Sequence, residues 1–196
     1  MRLPESQRPA AEAILAADVA LFTSLRSELD RCEAHLAEVL PDTPAAVLLS
    51  LPGVGVIRAS AYGAALGDHT RFRNAAAAYA FAGLTPASYE SAGRSRAGLG
   101  ITRSGSVTLR QAILELGKGL GGHHPDFIDY RAQLQDRKKP PKITLVAVAH
   151  RAHRLAFAMV RDQTRWDPDR PSAGRPVTSP GTRRRDDVTD PPSQRR

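Results

Sequence analysis

The sequence predicts a mainly α-helical protein, and three observations support this class. The stretch from Pro9 to Leu40 contains no glycine and repeats apolar residues at intervals of three, four and seven. Several later segments also place their apolar residues on one helical face. The only strand-like stretch lies near residues 86–102, where we expect a short β-hairpin within an all-α fold.

Charge indicates a partner rich in phosphate. The 196 residues contain 28 Lys and Arg against 20 Asp and Glu, which is a formal charge of +8. Residues 45–160 hold 15 of the basic and 6 of the acidic residues, a local charge of +9. This balance favours nucleic acid. Because only 5% of the residues are aromatic, contact through Arg, Lys and main-chain amides is favoured over stacking on several rings.

Apolar runs and the cysteine count bear on the compartment. No apolar run approaches the roughly 18–20 residues that span a bilayer, so we expect no membrane protein. Cys32 is the only cysteine and cannot form an internal disulfide, and the first ten residues lack a secretory pattern. We therefore expect a cytoplasmic, nucleoid-associated protein.

Residues 1–44 predict one long amphipathic helix of coiled-coil type. Its apolar seam covers about four heptads, and its other faces are mostly acidic. The seam consists of Ile14, Leu21, Leu25, Cys32, Leu36 and Val39. Two interpretations fit equally well: a helix lying on its own domain, and an antiparallel or intermolecular coiled coil that would make the protein a homo-oligomer.

Residues 44–66 predict a helix-hairpin-helix unit. Pro44 opens a short apolar helix, and a glycine turn leads into a second helix. Gly53 and Gly55 lack side chains that would shield the turn, so main-chain amides could reach a DNA phosphate, with Arg58 one turn further on. The alternative interpretation is an ordinary glycine-linked helix pair.

The rest of the chain predicts further helices and a tail. The expected helices are one capped by Asn74 and ending near Gly83, and those over residues 107–117, 125–137 and 143–165. Gly121 and Gly122 are expected to terminate the helical stretch that precedes them. Residues 45–166 thus form a predicted helical DNA-binding domain, and residues 167–196 a disordered basic tail.

The sequence predicts no metal site. His150 and His153 lie one helical turn apart, but no cysteine or carboxylate pair supplies further ligands at suitable spacing. Two-metal nuclease chemistry needs three or four converging carboxylates. The acidic residues of the basic segment are instead scattered over different elements.

The segment from Ser88 to Ser106 has the composition of a loop that approaches phosphate, with five serines, four glycines and three arginines. A serine hydroxyl that attacks a phosphodiester needs arginines to neutralise the phosphate and a backbone that admits the duplex. The residues that match are Ser91, Ser95, Arg94, Arg96, Arg103 and Arg110. From composition alone, non-catalytic contact with phosphate stays the stronger interpretation.

Five short motifs follow one another between residues 51 and 110. They are Leu51-Pro52-Gly53-Val54-Gly55, Gly67-Asp68-x-x-Arg71-Phe72, Ala82-Gly83-Leu84-Thr85-Pro86, Ser91-x-Gly93 and Ile101-Thr102-x-x-Gly105-x-x-x-Leu109-Arg110. In this order they resemble the C-terminal transposase domain of the insertion-sequence 110 family. The resemblance covers about residues 45–165.

The resemblance implies chemistry similar to that of serine recombinases. In that family a serine in the loop after the Gly-Leu-x-Pro motif is the DNA nucleophile, and a guide (bridge) RNA specifies target and donor. Ser91 matches the nucleophile on this pattern. The family has glycine directly after the serine, whereas Ala92 stands here and Gly93 follows. Ser95 therefore stays the alternative.

The resemblance also implies a second domain. Family members carry an N-terminal RuvC-like domain whose acidic tetrad coordinates Mg²⁺, whereas residues 1–44 resemble only the connecting helical region. We therefore expect a truncated copy, for which Mg²⁺ matters only together with that domain. Two hypotheses follow. One is a DNA transposase with a serine nucleophile that needs the acidic-tetrad domain, and the other is a non-catalytic DNA- or RNA-binding remnant that dimerises and regulates a full-length relative.

Overall fold

The computed structural model describes residues 4–86, 90–91, 94–95 and 100–168, and it confirms the all-α class. The α-helices are α1 (Arg8–Val39), α2 (Val56–Leu66), α3 (Ala75–Phe81), α4 (Val107–His123), α5 (Pro125–Asp136) and α6 (Pro141–Asp162). Short 3₁₀ helices lie at Glu5–Gln7, Leu40–Asp42, Pro44–Ser50 and His69–Arg71. The described residues up to Trp166 form one compact unit.

A two-stranded hairpin lies within the range where the sequence predicts one. Strand β1 (Glu90–Ser91) pairs antiparallel with β2 (Arg94–Ser95). An antiparallel bridge joins Pro86 to Ile101 below them. Residues 96–99, which include Arg96, lie outside the described part of the chain.

Helices α4 and α6 form the most extensive helix pair of the core. A Cβ on Gly117 would lie 2.7 Å from the Cβ of Ala149, so glycine here lets the two backbones approach closely. The buried side chains along the pair include Leu109, Ile113, Leu116, Leu120, Val148, Ala152, Ala156 and Phe157. The predicted apolar face of the 107–117 helix is therefore the core face.

The end of α4 differs from the predicted one. The helix continues through Gly121 and Gly122 to His123, although glycine lowers helix propensity by about 1 kcal/mol per residue. Packing explains the difference, because a Cβ on Gly121 would lie 3.3 Å from Val148 on α6. The same contact that requires a small residue also holds the helix together.

The short helix before the glycine turn is a 3₁₀ helix over Pro44–Ser50. Ala45, Leu48 and Leu51 are buried and lie three residues apart. That spacing matches the three residues per turn of a 3₁₀ helix. A Cβ on Gly63 of α2 would lie 2.6 Å from the Cβ of Ala45, so α2 packs closely on this segment.

Helix α1 has no buried residue along its 32 residues. Leu40, directly after it, is the first buried apolar side chain of the described chain. The large apolar residues exposed along α1 are Ile14, Leu15, Val19, Leu21, Phe22, Leu25, Leu29, Leu36 and Val39. Most of the seam therefore does not lie on the described part of its own chain, and only the C-terminal end of α1 contacts α2.

The predicted Asn74 cap of α3 is confirmed, and Ser106 caps α4. The side chain of Asn74 accepts a hydrogen bond from the Ala77 N–H at 2.9 Å, and that of Ser106 accepts one from the Leu109 N–H at 3.2 Å. The last helix begins two residues earlier than the sequence predicts and ends at Asp162. Gln163, with φ of +49°, then terminates it in the left-handed region.

Among the described residues, one helix, α6, has the length and composition to cross a membrane. Half of its most apolar window is buried inside the fold. Core helices of soluble proteins have this pattern, so the helix is weak evidence for a membrane span.

A buried polar cluster joins α2, α3 and α6. The Nε2–H of His153 donates to the Ala75 carbonyl at 2.9 Å, which leaves Nδ1 to accept from the Tyr62 hydroxyl at 3.0 Å. Burial lowers the pKa of His153 to about 4, and it also raises the pKa of Tyr62. Both groups are therefore neutral at pH 7 and fully satisfied by hydrogen bonds.

Candidate nucleic-acid interface

The base of the hairpin is fixed by main-chain hydrogen bonds between two chain segments. Thr102 N–H donates to Thr85 O at 2.9 Å, and Arg103 N–H donates to Gly83 O at 3.0 Å. A third bond, from Ser106 N–H to the carbonyl of the last α3 residue, closes the base at 2.9 Å. The segment that carries the candidate nucleophile therefore leaves the helical core at a defined point.

Two glycines make this base possible. Gly83 has φ of +68°, and a Cβ there would lie 2.6 Å from the Ser104 carbonyl oxygen. Gly105 has φ of +139°, and a Cβ there would overlap the carbonyl of Phe81. Both positions combine a backbone conformation that favours glycine with a close approach of two chain segments.

Arg110 of α4 supports the same base from below. Its Nη1 donates to the Ala82 carbonyl at 2.9 Å and to the Arg103 carbonyl at 3.2 Å. These carbonyls belong to the two segments that meet at the base, so the guanidinium holds them together. The structure thus gives Arg110 a positioning contact in addition to the predicted phosphate contact.

Arg103 has a different environment from Arg110. It is exposed, and its φ of +56° puts the backbone in the left-handed region. Its carbonyl is engaged with Arg110, while the residue itself lies at the surface beside the hairpin. Of the predicted phosphate ligands near the hairpin, Arg103 is the one that the structure describes as exposed.

The hairpin places the candidate nucleophile opposite an arginine in the strand register. Ser91 in β1 pairs with Arg94 in β2, and Glu90 pairs with Ser95. The two candidate serines therefore lie on different strands of one hairpin. The preferred nucleophile, Ser91, is thus paired with Arg94. The alternative, Ser95, is paired with the acidic Glu90.

The glycine turn before α2 is packed on α4. Gly53 has φ of +81°, and a Cβ there would overlap the Gly119 carbonyl and lie 2.8 Å from the His123 ring. Gly55, by contrast, is exposed, and a Cβ there would meet nothing within 4 Å. Only Gly55 at the N-cap of α2 is thus open to an approaching phosphate.

Arg58 lies inward against the same turn. Its Nη1 donates to the Gly53 carbonyl at 3.2 Å, and its Nε is buried with no hydrogen-bond partner among the described residues. The side chain therefore stiffens the turn that the sequence predicts to bind phosphate. Its guanidinium is half-buried rather than extended into solvent.

The predicted phosphate ligands thus form two groups along α4. Arg110 lies in the first turn of α4 and Arg103 lies in the segment before it, whereas the Gly53 turn contacts Gly119, nine residues after Arg110. At 1.5 Å per residue, the two contact points on α4 are about 13 Å apart along its axis. Residues of the same group therefore lie close together, and the two groups contact α4 at different points.

The described residues do not fit a metal centre. No group of three or more His, Cys, Asp or Glu side chains among them could hold a metal ion. Burial lowers the pKa of His124, whose Nδ1 is enclosed without a partner in the described chain. His124 instead packs edge-on against Phe127 and Trp166.

Sequence reasoning missed one surface beside the hairpin base. In the sequence, Arg71 and Phe72 belong to one of the five motifs, and Phe81 lies outside all of them. Arg71 lies over both rings, which are neighbours in the structure. The adjacent Arg71 and Phe72 were the signal available in the sequence, whereas the contact with Phe81, ten residues on, depends on the fold.

Comparison with known proteins shows which family this helical unit is similar to. Residues 45–130 match the model of the transposase IS116/IS110/IS902 family, and this range contains the glycine turn, the hairpin and all of α4. The match supports the transposase family.

Two curated relatives lead to the same family. A probable family 20 transposase of Pseudomonas aeruginosa is 28% identical in an alignment of 159 residues that covers 76% of this chain and 47% of the relative. An insertion element IS110 uncharacterized 43.6 kDa protein of Streptomyces coelicolor is 30% identical over 152 residues, 77% of this chain and 37% of the relative. The chain spans less than half the length of these relatives.

Proposed function

We propose that the chain binds duplex DNA and that Ser91 is the nucleophile on a DNA phosphodiester during recombination. One observation carries the proposal. The range that matches the transposase family contains a hairpin whose base is anchored by glycines, main-chain hydrogen bonds and Arg110. An anchored base can hold a nucleophile in a fixed position relative to the DNA that it attacks.

The proposed step is a transesterification. The Ser91 Oγ forms a bond to phosphorus while the bond from phosphorus to one deoxyribose oxygen breaks. The serine proton passes to a base, and the leaving oxygen takes up a proton. Arg94, Arg96 and Arg103 neutralise the charge that develops on the phosphate.

Activation of the serine requires a base or a metal, because a hydroxyl is a weak nucleophile at its ordinary pKa. The described residues offer no metal centre. We therefore propose that a RuvC-like acidic domain, acting with Mg²⁺, completes the site. A guide RNA that selects the DNA belongs to the same proposal, as does a cytoplasmic, nucleoid-associated location.

Covalent capture of DNA tests the nucleophile. The protein is incubated with labelled element-end duplex and Mg²⁺, with and without the acidic domain of a full-length relative and guide RNA. We expect a protein–DNA adduct only in the complemented mixture, with Ser91→Ala abolishing it and leaving DNA affinity within about twofold. An adduct that persists in Ser91→Ala and disappears in Ser95→Ala assigns the role to Ser95. A complemented wild type that reacts regardless of both substitutions overturns the assignment.

A second candidate function is a non-catalytic DNA- or RNA-binding regulator that dimerises. The exposed apolar seam of α1 favours it, since a 32-residue helix without buried residues offers its whole length to another chain. This candidate predicts that the chain forms mixed oligomers with a full-length relative and reduces its recombination. Inhibition that survives Ser91→Ala supports the regulator.

A further inference from the structure

A half-exposed aromatic pair lies at the base of the hairpin. Phe81 ends α3 and is 46% exposed. Its ring centroid is 5.4 Å from that of Phe72, with the ring planes tilted by 54°. Phe72 packs against the core from outside, so the pair is held on one side and open on the other.

Arg71 adds a cation to this pair. Its guanidinium carbon lies 4.5 Å from the Phe72 centroid and 5.1 Å from the Phe81 centroid, within cation–π range. Arg71 itself is exposed, as is Arg73. We call Arg71, Phe72 and Phe81 the aromatic shelf.

Asp68, the acidic residue near the shelf, forms hydrogen bonds within its own turn. Asp68 accepts from the Thr70 N–H at 2.8 Å and from the Thr70 hydroxyl at 2.7 Å. These hydrogen bonds lower the pKa of Asp68, and the charges of His69 and Arg71 act in the same direction. The bonds also fix the 3₁₀ turn His69–Arg71 that presents the guanidinium.

The shelf is tied to the segment that carries the candidate nucleophile. The Phe81 carbonyl accepts the hydrogen bond from Ser106 that closes the hairpin base. Ser91 follows Pro86 by five residues, so it lies at most about 17 Å from that end of the base at 3.4 Å per residue. DNA held at the hairpin therefore passes within a few nucleotides of the shelf.

We propose that the aromatic shelf stacks an unpaired nucleobase of the DNA on which the hairpin acts. This inference rests on the proposed DNA-binding function. Aromatic and guanidinium faces stack bases of any sequence, and the exposed Arg71 and Arg73 attract the adjoining phosphates. Two exposed arginines beside the rings favour a polyanion over an apolar protein surface. Two rings suffice for one base, so the low aromatic content of the chain is no obstacle.

The test compares single-stranded with duplex DNA. A labelled 12-nucleotide single strand with 2-aminopurine at its centre, and a duplex of the same length, are titrated into the protein at low salt. We expect Phe81→Leu to weaken single-strand binding about tenfold, since the base loses its stacking contact with the ring. Duplex affinity should change less than twofold. Phe81→Trp should keep single-strand binding at the wild-type level.

The matched control is Phe22→Leu, which alters a 69%-exposed phenylalanine on the acidic helix α1 and should change neither affinity. Wild-type protein should quench 2-aminopurine emission on binding, and absence of quenching overturns the inference whatever the variants do. Single-strand affinity that stays within twofold in Phe81→Leu also overturns it, while the DNA-binding proposal stands. A wild type that binds neither DNA overturns the proposed function itself.

Discussion

Gly53 and Gly55 lie two residues apart in one turn, but they have different structural requirements. Gly53 combines φ of +81° with backbone contact to Gly119, whereas Gly55 has ordinary dihedral angles and open space around it. The sequence predicts one shared role for both, in phosphate binding. The structure separates a glycine needed for folding from one that is free to face a ligand.

We expect Gly53→Ala to lower the free energy of unfolding by about 2–4 kcal/mol, from left-handed strain and from overlap with α4. Gly55→Ala, the matched control, should change it by less than about 1 kcal/mol. Urea denaturation followed by circular dichroism measures both. Equal stability of the two variants would contradict the packing of this turn on α4.

His153 is a fully buried titratable group whose protonation opposes folding. Its folded pKa of about 4 lies below the ordinary value near 6.5. The unfolded chain therefore binds this proton at higher pH than the folded chain. The stabilising contribution is complete above about pH 6.5 and is lost as the pH falls towards 4.

We predict that the free energy of unfolding falls between pH 6.5 and pH 4 with a slope of up to about 1.4 kcal/mol per pH unit from this group. Tyr62, Tyr79 and His150 surround His153, and burial lowers the pKa of His150 as well. The comparison with His153→Gln isolates the effect. That variant should be less stable at pH 7 and less sensitive to pH. The control His35→Gln, on exposed α1, should keep the wild-type slope, and an equal slope in His153→Gln would refute the assignment.

At the scale of elements, the hairpin depends on its base. Arg110 joins carbonyls of both segments, and Arg103 lies at the surface beside them. Arg110→Ala should increase amide hydrogen exchange at Thr102 and Ser106 by about tenfold, because the two segments lose their shared donor. Arg103→Ala should leave that exchange unchanged and reduce the salt dependence of DNA binding by about one phosphate contact. The reverse pattern would show that the roles are exchanged.

Helix α1 is the other element whose role is testable alone. Its exposed seam predicts a homo-oligomer through this helix. We expect Leu21→Glu combined with Leu25→Glu to convert a dimer to a monomer in analytical ultracentrifugation, with an unchanged melting temperature at a concentration where wild type is monomeric. The control Arg26→Glu alters the same helix outside the seam. A wild-type protein that is still monomeric at about 100 µM would rule out the seam as a dimer interface.

The sequence predicts elements better than it predicts the partners of side chains. Helical periodicity and caps at Asn74 and Ser106 locate the helices because those signals are local. The inward turn of Arg58 and the bracing by Arg110 depend on residues 5 and 28 positions away, which periodicity does not reveal. The continuation of α4 past Gly121 likewise depends on α6.

Across the whole molecule, the charge changes from acidic to basic between α1 and the helical unit that follows it. The acidic, exposed α1 precedes a unit whose residues 45–160 carry +9. The glycine turn and the hairpin base contact α4 at different points, the turn at Gly119 and the base at Arg110. A duplex that reached both groups would therefore contact the unit at two separate places along this helix.

Duplex DNA binding as a function of salt concentration is the most direct test of the proposed phosphate contacts. A fluorescent 30-base-pair duplex is titrated with the full chain from about 50 to 300 mM salt, and the logarithm of the affinity is plotted against the logarithm of salt concentration. We predict submicromolar to micromolar affinity at low salt. The logarithm of the affinity should then fall steeply and linearly as salt rises, because several counterions are released. Binding that does not change with salt, or no binding at the lowest salt, would contradict it.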